Sequence, residues 1–227
     1  MGTDREDSRD FTLLSGDLDQ RLSREWLITN TLGGYASSTV LNCHTRRYHG
    51  LLVAAALPPL GRVVTLSNCV ERLLVEGKEY QFSNFEFNGA IHPEGFRYQT
   101  SFHRQIEEDL QSVNFVYQVD DITFIRSLWL FGDSNTALIY WLAADARQDR
   151  LLQFFAHPMV ALRDFHSLRR QGVGKMFETW SEGETLAIRP ATPWTIRGLE
   201  HITLYLTPTG LKGPATVPFR DAGDWWY

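Results

Sequence analysis

Cysteine is nearly absent. Cys43 and Cys69 are the only two in 227 residues, far apart and outside any Cys-x-x-Cys spacing, which argues against a disulfide framework or a structural zinc site and leaves two buried free thiols. Positive charge is also short: 22 Lys and Arg stand against 27 Asp and Glu, and the net −5 leaves no reservoir for neutralising phosphates along a nucleic acid. Long apolar runs are missing, since the longest, Leu51 to Leu60, is about half a bilayer span and contains Pro58 and Pro59. Neither nucleic acid nor a membrane is an expected partner. Met1 to Asp10 is rich in Asp, Glu and Arg and lacks the apolar core of a signal peptide, so the expected location is cytoplasmic.

Several motifs are missing as well. There is no Walker A loop, no Gly-x-Gly-x-x-Gly, no Gly-x-Ser-x-Gly elbow and no His-Glu-x-x-His. Nucleotide and common hydrolase readings lose their support, and no cofactor is expected. His44 and His49 would lie on opposite faces of a strand, which argues against a shared metal. No repeat and no Gly/Ser- or Pro-rich linker divides the chain, so residues 1–227 read as one domain.

What remains is ordinary globular usage, 43% hydrophobic and 22% charged, with seven Trp, eight Tyr and 14 Phe. Such rings suit β-sheets and also stack on sugars. Asp17 can cap a short helix to about Arg24, with Leu18 and Leu22 on one face. From Glu25 onward the chain is a series of short β-forming runs bounded by turn residues. Val113–Val119, Ile122–Phe131 and Thr136–Ala143 form a meander around Asp120-Asp121 and Gly132–Asn135. Cys69–Val75 pairs with Tyr80–Phe82 around Glu76, Gly77 and Lys78, and Met176–Trp180 pairs with Thr185–Ile188 around Glu182 and Gly183. Leu151–Ala156 and Ile202–Leu206 extend the series. The fold class is all-β, a large antiparallel β-sandwich with at most a short N-terminal helix. The aromatic end, with Trp225 and Trp226, reads as a chain cut before a further domain, or as a strand docked in the core.

The densest segment is Glu25 to Leu52. Gly33 and Gly34 permit a close backbone approach, Asn30 precedes the turn and Tyr35 places a ring beside it. Thr45, Arg47 and His49 would share one face of a strand, with Arg46, Tyr48 and Gly50 on the other. One arginine would support the loop while the other meets a partner or ligand; a salt-bridged strand is the alternative. A second dense stretch, Ala161 to His166, offers Arg163, Asp164 and His166, either as a structural ion pair or as a site. The carboxylates at Asp120-Asp121 and Glu107-Glu108-Asp109 read as solvated turns, so no catalytic pair is assigned.

Arg24-Glu25-Trp26-Leu27, Thr29-Asn30, Leu32-Gly33-Gly34-Tyr35-Ala36-Ser37 and Thr45-Arg46-Arg47-Tyr48-His49-Gly50-Leu51-Leu52 resemble the N-terminal domain of the bacterial and archaeal type of glycogen debranching enzyme, the amylo-α-1,6-glucosidase group. Ile91-His92-Pro93 with Gly95, and Arg163-Asp164-Phe165-His166, add to it. The sequence departs from that pattern at Thr31, Ser38 and His44. The resemblance implies a β-supersandwich followed by a catalytic (α/α)₆ barrel beyond Tyr227 that hydrolyses α-1,6-linked glucose at branch points. It implies a non-catalytic domain with that barrel and α-glucan as partners. Candidate substrate-binding or interface residues are Asn30, Gly33, Gly34, Tyr35, Arg46, Arg47, Tyr48, His49, Arg163, Asp164, His166, Trp225 and Trp226, with no catalytic or metal-binding residue. The alternatives are a stand-alone carbohydrate-binding module, or a structural domain at an interdomain or homo-oligomer interface.

Overall fold

The computed structural model describes residues 10–11, 16–107, 110–147, 150–169, 176–192 and 202–208. Trp225 and Trp226 lie outside the described residues. Its elements are β1 (Asp10–Phe11), α1 (Leu18–Ser23), β2 (Glu25–Thr29), β3 (Tyr35–Thr39), β4 (Gly50–Leu57), β5 (Gly61–Val75), β6 (Lys78–Gln81), β7 (Phe85–Phe87), β8 (Ala90–His92), β9 (Gln99–Ile106), β10 (Leu110–Val119), β11 (Ile122–Phe131), β12 (Ala137–Asp145), β13 (Leu152–Asp164), β14 (Phe177–Glu182), β15 (Thr185–Pro190) and β16 (Leu204–Leu206). Two antiparallel sheets dominate, one ordered β1-β9-β10-β11-β12 and the other β13-β5-β4-β3-β2, with β6 also pairing β5. A sheet β14-β15-β16 and the hairpin β7-β8 complete an all-β, sandwich-like fold. No helix among the described residues is long and apolar enough to cross a membrane.

Local chemistry accounts for the elements. The Asp17 carboxylate accepts from the Gln20 backbone N–H at 2.9 Å and starts α1, as its capping position requires. Val113, Phe115, Tyr117 and Val119 on β10 face inward, as do Ile122, Phe124, Leu128 and Leu130 on β11, following the strand period of two. The β5–β6 hairpin is tighter than the sequence suggests. Val75 pairs with Lys78, so the loop is Glu76 and Gly77 alone, both at positive φ, the primed turn whose twist matches the flanking strands.

The two large sheets meet over rings. Phe82 stacks on Phe124 with centroids 4.4 Å apart, and Trp26 meets Phe115 edge-on at 6.2 Å. Period two also sends Arg126 of β11 into this core, where it is fully buried against Glu71 of β5. β4 from Gly50 to Ala55 and β5 from Val63 to Cys69 are buried without alternation, so both faces of the second sheet are covered there. That covered sheet is the rigid base on which the Asn30 loop and the Arg46 turn stand.

Candidate functional site

The loop between β2 and β3 is built around Asn30. Its backbone N–H donates to the Gly34 carbonyl at 3.0 Å, its side-chain oxygen accepts from the Gly34 N–H at 2.7 Å, and its side-chain nitrogen donates to the Ser134 carbonyl at 2.8 Å. Gly33 adopts φ 86, in the left-handed region that favours glycine. A Cβ on Gly34 would lie 3.0 Å from each of the Asn135 and Asn30 side chains and from the Val53 carbonyl, so the loop seats directly on neighbouring chain. The Asn135 amide in turn brackets the Ala55 backbone, accepting from its N–H at 2.9 Å and donating to its carbonyl at 3.0 Å. Arg62 supports the loop by donating from Nε to the Gly33 carbonyl at 2.7 Å. Neither Arg46 nor Arg47 plays that part, contrary to the expectation from sequence.

Residues 45–49 also depart from expectation, forming a turn rather than a strand. The His49 N–H donates to the Arg46 carbonyl at 3.0 Å, and β4 begins only at Gly50. Strand alternation would send Arg46 and His49 to opposite faces, whereas the turn brings both to Glu25. Arg46 pairs with the Glu25 carboxylate at 2.5 Å, and His49 Nε2 stands 3.6 Å from it. His49 Nδ1 accepts from the Thr45 N–H at 3.2 Å, which assigns its proton to Nε2. The rings of His44 and His49, expected on opposite faces, meet edge-to-face with centroids 5.7 Å apart. Burial lowers both imidazoles, against the opposing pull of Glu25 on His49, and takes His44 to about 3, so the pair is neutral at physiological pH.

The turn projects Arg47 and Tyr48 onto the second dense stretch. Arg163 donates to the Arg47 carbonyl at 2.5 Å, a contact between residues separated by 116 positions. Arg47 donates to the His166 carbonyl at 3.0 Å, and the Tyr48 hydroxyl lies 3.3 Å from His166 Nδ1. Tyr48 also packs against Phe165 at 5.5 Å, and Tyr35 donates its hydroxyl to the Tyr48 carbonyl at 2.9 Å. Burial raises the Tyr35 pKa despite Arg62 and Arg163 nearby. Arg163 and Asp164 do not form the ion pair open as one reading from sequence. Asp164 instead accepts from the His166 backbone N–H at 2.8 Å.

A bulge aims Arg163. On β13, Val160 pairs with Leu66 and Arg163 with Val64, so Ala161 and Leu162 together oppose one residue. Leu162 takes φ 41 while fully buried, an uncommon conformation for a bulky residue and one associated with functional sites. Leucine has no preference for that region, so no sequence signal marks it. Arg62 and Asn135 join the site although nothing near them in sequence shows that they converge here, and Phe165 joins it from within the second dense stretch.

Among the described residues, the carboxylates that meet elsewhere in the fold are held by arginines. The Glu71 carboxylate is buried and held by Arg126 at 2.7 Å. Asp121 and Asp145 converge at the rim of an open depression of about 660 Å³, but Arg150 binds both. The hydrogen bond from Arg150 lowers Asp145, and at Asp121 the contacts of Arg150 and Arg147 outweigh burial, so both stay ionised where glycoside hydrolysis requires one protonated partner. Burial pushes Cys43 up to about 11 and holds Cys69 well above the ordinary thiol value, so neither is a nucleophile near neutrality. Among the described residues no group of three His, Cys, Asp or Glu side chains converges as a metal site would require.

A family model described as glycogen debranching enzyme N terminal matches residues 24–227, which include every element of the site. No curated protein and no solved structure matches the chain.

Proposed function

Because this chain belongs to the glycogen debranching enzyme N-terminal family, we propose that it is a non-catalytic domain that packs against a catalytic glycosidase barrel and presents the Asn30–Tyr35 loop and the Arg46–His49 turn to an α-glucan. The observation that carries this reading is the convergence of the two dense stretches. The Arg46–His49 turn and the Asp164–Ser167 segment close on one another through Arg163, beside the Gly33–Tyr35 loop, leaving Tyr48 38% exposed and Arg47 exposed at the rim. An exposed ring flanked by guanidinium and hydroxyl donors has the chemistry of a sugar contact, an apolar face with hydrogen bonds at its edge. The hydrolytic acid and base are assigned to the parent's barrel, and the parent to the cytoplasm.

The test is Arg47→Ala and Tyr48→Ala in the full-length parent, reading kcat/KM on a branched limit dextrin and melting temperature on the same preparation. Loss of charge-assisted hydrogen bonds of about 1.5 to 3 kcal/mol corresponds to a fall of about 10- to 100-fold in kcat/KM. A lowered melting temperature with unchanged kcat/KM would assign the face to the scaffold and overturn the reading.

A further inference from the structure

The site holds more positive charge than its own residues neutralise. Arg163 is 8% exposed, yet its guanidinium meets only backbone carbonyls, those of Arg47, Asp164, Phe165 and Ser167. The Asp164 carboxylate acts on it through space but makes no ion pair with it, and a buried guanidinium so weakly compensated is costly and cannot shed its proton. The strained Leu162 bulge nevertheless places it there. Arg47 uses one terminal nitrogen on the His166 carbonyl, and Arg62 uses Nε on the Gly33 carbonyl. The remaining donors of both make no hydrogen bond among the described residues. Of the nearby acids, Glu25 is paired with Arg46, which leaves the single charge of Asp164, held by the His166 N–H, against Arg47, Arg62 and Arg163. This local excess runs against a chain of net charge −5.

We propose that this face binds a phosphomonoester carried on a glucose unit, with Arg47 and Arg62 taking the phosphate in the field of Arg163 and the sugar ring lying against Tyr48. The proposal rests on the reading of this face as the glucan contact and narrows it to a phosphorylated sugar. A phosphomonoester brings about two negative charges and three acceptor oxygens, which suits two guanidiniums with donors to spare. Arg47 sits 5.6 Å from the Tyr48 ring centroid and Arg62 5.8 Å from that of Phe165, with the two rings 5.5 Å apart, so charge and apolar surface are interleaved.

The experiment is calorimetric titration of this chain, and of its Arg47→Gln, Arg62→Gln and Tyr48→Ala variants, with glucose 6-phosphate, inorganic phosphate and maltotriose. Glucose 6-phosphate is expected to bind at least about tenfold more tightly than maltotriose. Arg47→Gln is expected to weaken it about tenfold, and added salt to weaken it further. Tyr48→Ala should weaken glucose 6-phosphate and leave inorganic phosphate unchanged. Arg47 is exposed, so its variant tests the idea even if Arg62→Gln loosens the loop. Maltotriose binding as tightly as glucose 6-phosphate overturns the phosphate inference and leaves the glucan reading standing. Inorganic phosphate matching glucose 6-phosphate overturns the sugar component. Silence of all three probes overturns the phosphate inference and leaves the glucan reading to the kcat/KM test in the full-length parent.

Discussion

Arg126 of one sheet donates from Nε to the Glu71 carboxylate of the other at 2.7 Å, with exposures of 0% and 2% for the two side chains. Arg126 also lies over the Phe115 ring at 5.1 Å. Arg126→Ala should therefore strand a buried carboxylate and lose about 3–5 kcal/mol, read as a shift of the urea midpoint. Replacing both partners together, Arg126→Met with Glu71→Leu, should recover most of that loss. A double variant as unstable as the single one would show that the pair does more than neutralise itself.

His44 sets a pH dependence. Burial holds its folded pKa near 3, while an unfolded imidazole titrates near ~6.5. The unfolded chain therefore binds the extra proton between those values, so the stability is present above about pH 6.5 and declines as pH falls below it, by about 1.4 kcal/mol per unit. Chemical denaturation at pH 7 and pH 5 reads this directly. His44→Phe should flatten the slope by about one proton, and an unchanged slope would place the linkage elsewhere.

Gly34 and Gly77 should respond differently to alanine. A Cβ at Gly34 would press on the Val53 carbonyl at 3.0 Å, whereas one at Gly77 meets nothing within 4 Å and suffers only from φ 88. Gly34→Ala is expected to cost about 2 kcal/mol and to shift the amide resonances of Asn30, Ala55 and Asn135. Gly77→Ala should cost about 1 kcal/mol and move only its own hairpin. Unperturbed resonances at Asn135 in Gly34→Ala would mean that the loop does not rest where its geometry implies.

The purified chain should release no glucose from a branched limit dextrin, since Asp121 and Asp145, the carboxylates that converge at an open depression, are both bound by the same Arg150 nitrogen. Any turnover abolished by Asp121→Asn or Asp145→Asn would reverse that assignment.

Strand period and turn chemistry alone determine the meander of β10, β11 and β12, the capped helix and the all-β class, because each depends on neighbours within a few residues. The Glu25–Leu52 and Ala161–His166 stretches are also legible as dense, but not as one site. Their union through Arg163 and the Arg47 carbonyl is a contact across 116 positions, and no local rule encodes it. Tertiary structure likewise decided that residues 45–49 turn, and the turn sets Arg46 and His49 on the same side, at Glu25. It placed Arg62 under the Gly33 carbonyl and drove Leu162 into a conformation its side chain does not favour. Periodicity assigns a residue to a face; only packing between sheets decides which distant faces meet, and at this site that packing outweighs local preference.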